Sequence, residues 1–144
     1  MNEPHVPLAA YKEMNVYKLF VLDVGLLGAM SDLDAMSILE GNDIFVEFKG
    51  ALTEQYVLQQ LISDTPYTPY YYGNEKATFE QDFLVQKAKS IVPIEVKAEQ
   101  NIRSHSLKTY CEKFQPEEAV RFSTLKYKEQ EWMVNIPLYA VCNL

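Results

Sequence analysis

Two strand-like runs separated by a very short polar break constrain this chain more than anything else in it. Residues Asp82-Phe-Leu-Val-Gln86 and Ile91-Val-Pro-Ile-Glu-Val-Lys97 have strand length and strand composition, and only Lys87 to Ser90 lies between them. A connection that short forces an antiparallel hairpin. Side chains alternate along a strand, so the register decides which of them meet. With Lys87 to Ser90 as the loop, Gln86 faces Ile91 and, counting back, Asp82 faces Glu95. Alternation then predicts Glu80, Asp82 and Leu84 on one face of the first strand, matched by Pro93, Glu95 and Lys97 on the second. The other face of the second strand, Val92, Ile94, Val96 and Ala98, is wholly apolar and is expected to pack on a helix.

That register has a chemical consequence. Directly opposed side chains are about 5 Å apart at Cβ, and two carboxylates that close repel unless a cation lies between them. A hard divalent ion such as Mg²⁺ suits two carboxylates plus water. Lys97 shares the face and could orient or deprotonate an attacking water. A third acid comes from the strongest helix signal, Phe45 to Ile62, where Phe48, Ala51, Leu52, Gln55, Leu58 and Ile62 fall on one side. Glu54 sits at the margin of that stripe, where a carboxylate is costly unless paired or metal-bound. Glu47, two turns back, is the alternative ligand. Taken singly, each position has a plainer explanation: a solvated strand face for Glu95-x-Lys97, a surface carboxylate for Asp82, a helix-surface residue for Glu54. Only their joint placement points to a metal site of Glu54, Asp82 and Glu95, with Lys97, Glu95 and Asp82 as the catalytic set.

The rest of the chain is ordinary by comparison. Its 144 residues suit one domain. A strand is expected at Tyr17 to Leu22, a turn into a short helix at Asp23 to Leu27, and another short helix from Ser31 or Asp32 through Leu39. Tyr70 to Tyr72, Phe79 to Gln86 and Ile91 to Ala98 read as three successive strands. A helix follows from Ser104 to Lys113, capped by Ser104 or Ser106, then a strand at Val120 to Thr124. The apolar stretch Trp132 to Val141 is β-prone, with Pro137 marking an edge or a bend. The central order, helix, three strands, helix, strand, is an α/β unit with a mixed sheet rather than a strictly alternating nucleotide-binding fold. Residues 1–44 form an N-terminal strand and short helices, and residues 45–144 form the core.

Composition closes off several functions. There is no GxxxxGK[ST] phosphate loop, so ATP hydrolysis by that route is not expected. His5 and His105 make no zinc pattern. No apolar run spans a membrane and no signal peptide is visible, so no membrane partner is expected. Cys111 and Cys142 are isolated and read as reduced thiols of a cytoplasmic protein. The net charge of −7 is a poor match to a polyanion, although Lys87, Lys89, Lys97, Arg103 and Lys108 could form a local basic face. The tyrosines of the Tyr70 to Tyr72 run read as a half-buried strand, with base stacking as the alternative.

Several segments together resemble one known prokaryotic domain. They are Tyr17 to Leu27, Phe48-Lys-Gly-Ala-Leu-Thr-Glu54-Gln-Tyr-Val57, Tyr70-Tyr-Tyr72, Glu80-Gln-Asp82-Phe83, Pro93-Ile-Glu95-Val-Lys97, Ser106-Leu-Lys108 and Pro137-Leu-Tyr139. The chain resembles, over nearly its whole length, the domain of unknown function found C-terminal to the ATPase domain of bacterial and archaeal AAA+-type ATP-binding proteins. The resemblance implies a restriction-endonuclease-like, PD-(D/E)xK fold, with Glu54, Asp82, Glu95 and Lys97 at the positions of the nuclease core. It also implies an AAA+ ATPase domain as the usual covalent partner, here in trans. The chain reads on this basis as a C-terminal fragment or a stand-alone gene product, and its first 16 residues look like the middle of a longer protein. One departure is Gln81, polar where the family more often has an apolar residue between its acids.

Two functions are therefore expected. The first is Mg²⁺-dependent hydrolysis of DNA phosphodiesters. The alternative is a non-catalytic binding or regulatory module of an ATPase system, or a truncated remnant of one, with the ATPase or a second copy of this chain as partner.

Overall fold

In the computed structural model, residues 3–32, 43–73, 80–98 and 104–144 are described, with side chains from residue 48 onward in the long helix. The expected helix through Leu39, together with Phe79, Arg103 and the Glu47 side chain, lies outside the described residues. Among the described residues three α-helices, α1 (Val24–Met30), α2 (Asp43–Asp64) and α3 (His105–Phe114), accompany six strands. The strands are β1 (Tyr70–Gly73), β2 (Glu80–Lys87), β3 (Ser90–Lys97), β4 (Val120–Ser123), β5 (Lys128–Glu129) and β6 (Val134–Pro137). Short 3₁₀ segments stand near both ends, Leu8–Tyr11 and Leu138–Asn143.

The strands make one mixed sheet in the order β1-β2-β3-β4-β6-β5. The β1-β2-β3 meander is antiparallel, β3, β4 and β6 run parallel, and β5 closes the edge antiparallel to β6. The hairpin register is the expected one, with Gln86 facing Ile91. The turn is tighter than expected, because Lys87 and Ser90 also pair and Ala88 takes a left-handed backbone with φ of 51°. Helix α3 carries the chain from β3 to its parallel neighbour β4, as a crossover between parallel strands requires.

The sheet is covered on both faces. On one side Val57 and Leu61 of α2 bury against Phe83, Val85, Val92, Ile94, Val120, Phe122 and Ile136. On the other, Leu8, Tyr72, Leu84 and Tyr110 form a smaller cluster, in which the Tyr72 and Tyr110 rings meet edge-on at 5.5 Å. Leu107 of α3, Ala119 and Met133 extend that layer. The apolar face predicted for β3 is thus the one that meets the long helix.

Three expectations are corrected. The segment Tyr17 to Leu22 is not a strand: Tyr17, Leu19 and Leu22 are 71, 86 and 85% exposed, and no sheet strand pairs with it. The long helix holds it instead. The buried Gln55 amide accepts from Val21 N–H at 3.1 Å and donates to Val21 C=O at 3.0 Å, doing for the segment what a neighbouring strand would. Gln59 adds a bond to Val24 N–H. This docking also rotates the buried stripe of α2. Thr53, Gln55, Val57 and Leu61 are its buried positions, whereas Ala51 and Ile62 are exposed. The apolar stretch near the C-terminus is only half strand. Pro137 ends β6 and turns the chain into the 3₁₀ segment, as a residue without an amide donor does.

The short helix after Asp23 forms as expected, its Asp23 carboxylate accepting from Leu26 N–H at 2.8 Å. Both cysteines are free thiols. Among the described residues no helix is long and apolar enough to cross a membrane.

The Gln55 contact can be tested directly. Gln55→Ala leaves the Val21 amide pair without its partner, and a loss of roughly 1–3 kcal/mol is expected. Chemical denaturation measures that loss. Amide exchange at Val21 should accelerate while exchange in β2 and β3 changes only with global stability.

Candidate functional site

The pairing of β2 with β3 stops before its acids. The last ladder pair is Phe83 with Ile94. Beyond it, side chains supply the bonds that the backbone no longer makes. Gln81 Nε2 donates to Ile94 C=O at 2.7 Å, and Asp82 Oδ2 accepts from Val96 N–H at 2.7 Å. The cause lies on the opposite edge of β2. Tyr70 pairs with Leu84 and Tyr72 with Gln81, so Tyr71 alone stands against Asp82 and Phe83. Two residues against one is a β-bulge, which re-aims the bulged side chains. Gln81, polar in an unexpected place, is fully buried because it stitches this break.

The bulge changes which side chains share a face. Unbroken alternation predicts Asp82 beside Leu84, yet Leu84 joins the Tyr72 and Tyr110 cluster while Asp82 groups with the long helix. Tyr71 hydrogen-bonds the Glu80 side chain and lies within electrostatic reach of Glu54 and Asp82. Lys18, from the docked N-terminal segment, is ion-paired with Glu54 and stands 5.1 Å over the Tyr71 ring. One group is therefore Glu54, Glu80, Asp82, Tyr71 and Lys18.

Glu95 and Lys97 stand on the other side. Glu95 is 3% exposed, and its Oε1 is 2.7 Å from Lys97 Nζ. In register with Glu95 across the parallel strands are Arg121 and then Asn135, both buried. Arg121 Nε donates to Asn135 Oδ1 at 2.8 Å, and its Nη1 donates to Ser104 Oγ at 3.3 Å. Ser123 Oγ donates to the same Asn135 oxygen at 2.7 Å. Ser104 is the residue before α3, but its hydroxyl serves Arg121 rather than capping the helix. Burial pushes the Arg121 guanidinium down from its usual value, and the Glu95 carboxylate opposes that shift.

This polar row was missed from sequence. Its one signal was a polar residue inside each of two apolar strands, Val120-Arg-Phe-Ser123 and Val134-Asn-Ile-Pro137. Two apolar neighbours around a single polar residue describe a solvated strand face equally well, so the signal did not separate the two.

Of the sequence candidates, Glu54 and Glu95 both act electrostatically on Asp82, Glu54 the more strongly. Burial raises the Asp82 carboxyl to about 6, with the Glu54 and Glu95 charges adding to the rise. The Val96 amide and Lys18 act against it. Glu95 Oε2 is buried without a hydrogen-bond partner. Both observations fit an all-oxygen cation site, because a divalent ion would relieve the carboxylate repulsion and occupy the bare oxygen. Against this, each acid already has a protein partner, Lys18 for Glu54, Val96 N–H for Asp82 and Lys97 for Glu95. Among the described residues no group of three or more His, Cys, Asp or Glu side chains is arranged to hold a metal.

The expected basic face is largely neutralised. Lys87 pairs with Glu118 at 3.0 Å, and Lys97 pairs with Glu95. His105 is exposed at the start of α3.

The chain belongs to a family described as a domain of unknown function, DUF4143, which matches residues 49–140. No curated protein and no solved structure matches it. The matched stretch holds Glu54, Asp82, Glu95, Lys97, Arg121 and Asn135, and excludes the Lys18 segment.

The Asp82 carboxyl makes stability depend on pH in a defined direction. Its folded value of about 6 lies above the ordinary 3.8, so between those two values the folded chain holds a proton that the unfolded chain has released. The burial penalty is absent below the lower value, grows as pH rises, and is complete above the higher one. Asp82→Asn keeps an oxygen for Val96 N–H and removes the charge. It should stabilise the chain at pH 8 by roughly 2–3 kcal/mol and leave it unchanged near pH 3.5. Urea denaturation at the two pH values checks this, and equal effects at both would contradict the assignment.

Proposed function

We propose that this chain is a nuclease-like domain of an ATPase-associated system, in which Glu54, Asp82 and Glu95 bind Mg²⁺ for hydrolysis of DNA phosphodiesters. The observation that carries the reading is the convergence of the Glu54 and Glu95 charges on the buried Asp82, whose carboxyl burial raises to about 6. Such a concentration of negative charge under low-dielectric cover is expensive in a purely structural role. The order of elements agrees, since a helix carboxylate precedes a hairpin that bears Asp82 and then Glu95-x-Lys97. The restriction-endonuclease-like assignment rests on that order together with the resemblance.

In this reading Glu54, now paired with Lys18, and Asp82, already largely ionised at neutral pH with a value of about 6, would hold the ion together. Glu95 offers the buried oxygen that has no other partner. The ion, when bound, polarises the phosphodiester and lowers the pKa of water. Lys97, with its side chain 34% exposed, can reach both the Glu95 carboxylate and solvent, and so can position the attacking water. Arg121 and Asn135 hold the floor beneath Glu95.

A second reading has its own support. The ion pairs of Glu54 with Lys18 and of Glu95 with Lys97 also suit a cation-free module that docks on an ATPase in trans or on a second copy. The exposed apolar side chains of the N-terminal segment, Leu19, Leu22 and Met30 among them, favour a contact surface there.

Incubation with supercoiled, linear and branched DNA in Mg²⁺ or Mn²⁺ separates the two. Metal-dependent cleavage that falls at least a hundredfold in Glu95→Ala is expected from the first reading. Identical products from wild type and Glu95→Ala remove it, and a co-purifying ATPase or a dimer in light scattering then supports the second.

A further inference from the structure

A cleft opens beside the acid group rather than over it. It has a volume of about 650 Å³ and lies between the N-terminal segment, the end of α2 and the loop leading into β1. Its walls are unusually aromatic, with Tyr17, Phe20, Tyr67, Tyr71 and Phe83 among them. Phe83 is buried and meets Phe20 with ring centroids 6.0 Å apart, which makes these two the base of the cleft. Tyr17 is 71% exposed and stands at the rim.

The charge of this cleft differs from that of the chain. Lys12, Lys18 and Glu13 are its charged lining residues, with Lys18 already paired to Glu54, in a protein of net charge −7. Lys18 and Tyr71 also belong to the acid group. The Tyr71 ring lines the cleft while its hydroxyl bonds Glu80, and Lys18 stands over that ring while pairing with Glu54. A flat aromatic ligand in the cleft would therefore place an attached anion at Lys18, next to the carboxylates.

We infer that the cleft takes an unpaired nucleobase of a single-stranded nucleic acid, with its phosphate directed to Lys18. Aromatic walls suit a base because every base offers a face for stacking, without regard to sequence. Duplex DNA hides those faces in its own stack, so the site selects single strands, frayed ends or flaps. The inference rests on the phosphodiester reading for its purpose, since it names the substrate class of that site, but binding does not need the metal.

The test is fluorescence anisotropy of short labelled oligonucleotides in EDTA, where cleavage cannot occur. A single strand should bind at least tenfold tighter than the blunt duplex of the same sequence. A strand in which several nucleotides are abasic should bind about tenfold more weakly than the intact strand, as should the intact strand to Tyr17→Ala. Equal affinity for intact and abasic strands overturns the inference, as does normal binding by Tyr17→Ala with an unchanged melting curve. The two readings fail separately. Single-strand binding without metal-dependent cleavage sinks the nuclease reading and leaves the cleft assigned. Cleavage with equal binding of intact and abasic strands does the reverse.

Discussion

The hydrogen bonds that Gln81 and Asp82 make to β3 hold the rest of this structure in its arrangement. They stand where a regular ladder would have continued, and they exist because the bulge against Tyr71 leaves Ile94 C=O and Val96 N–H without backbone partners. Buried amide groups left unpaired are costly, so the side chains at this break are under strong constraint. The same bonds set the positions of the acids. Asp82 is turned toward the long helix and Glu54, while Glu95 remains with the buried row that runs through Arg121 to Asn135. One local irregularity thus determines which carboxylates meet.

Much of this frame was legible from the chain. The short break from Lys87 to Ser90 forced a hairpin, and its register, the meander and the helices before and after it follow from periodicity and turn length. The apolar face of β3 was readable because four successive alternate positions agree. The site was legible in its membership and less so in its geometry. A bulge leaves no mark in composition, and it depends on how β1 aligns with β2, a pairing separated in sequence by residues with no strong pattern. Strict alternation therefore placed Asp82 on the face of Leu84, and the structure moves it.

The N-terminal segment shows a different limit. Tyr17 to Leu22 has every local mark of a strand. What local pattern does not carry is the partner. Gln55, from a helix more than thirty residues on, supplies both halves of the pairing that a strand would have supplied. The polar row beneath Glu95 was hidden for a related reason, since burial of Arg121 and Asn135 depends on α3 covering that end of the sheet.

The attachment of the N-terminal segment is built from two fasteners that respond to different conditions. The Gln55 clasp on Val21 is uncharged and buried, so neither salt nor pH between 3 and 9 reaches it directly. The Lys18 pair with Glu54 is partly open to solvent, with side chains 31 and 21% exposed, and is weakened by screening and by competing cations. High salt therefore weakens the attachment at the Lys18 end and leaves the Val21 end clasped. Tyr17 and Lys18 both line the aromatic cleft, so that wall of the cleft is held by the fastener that salt reaches, while Val21 is held by the one that salt does not.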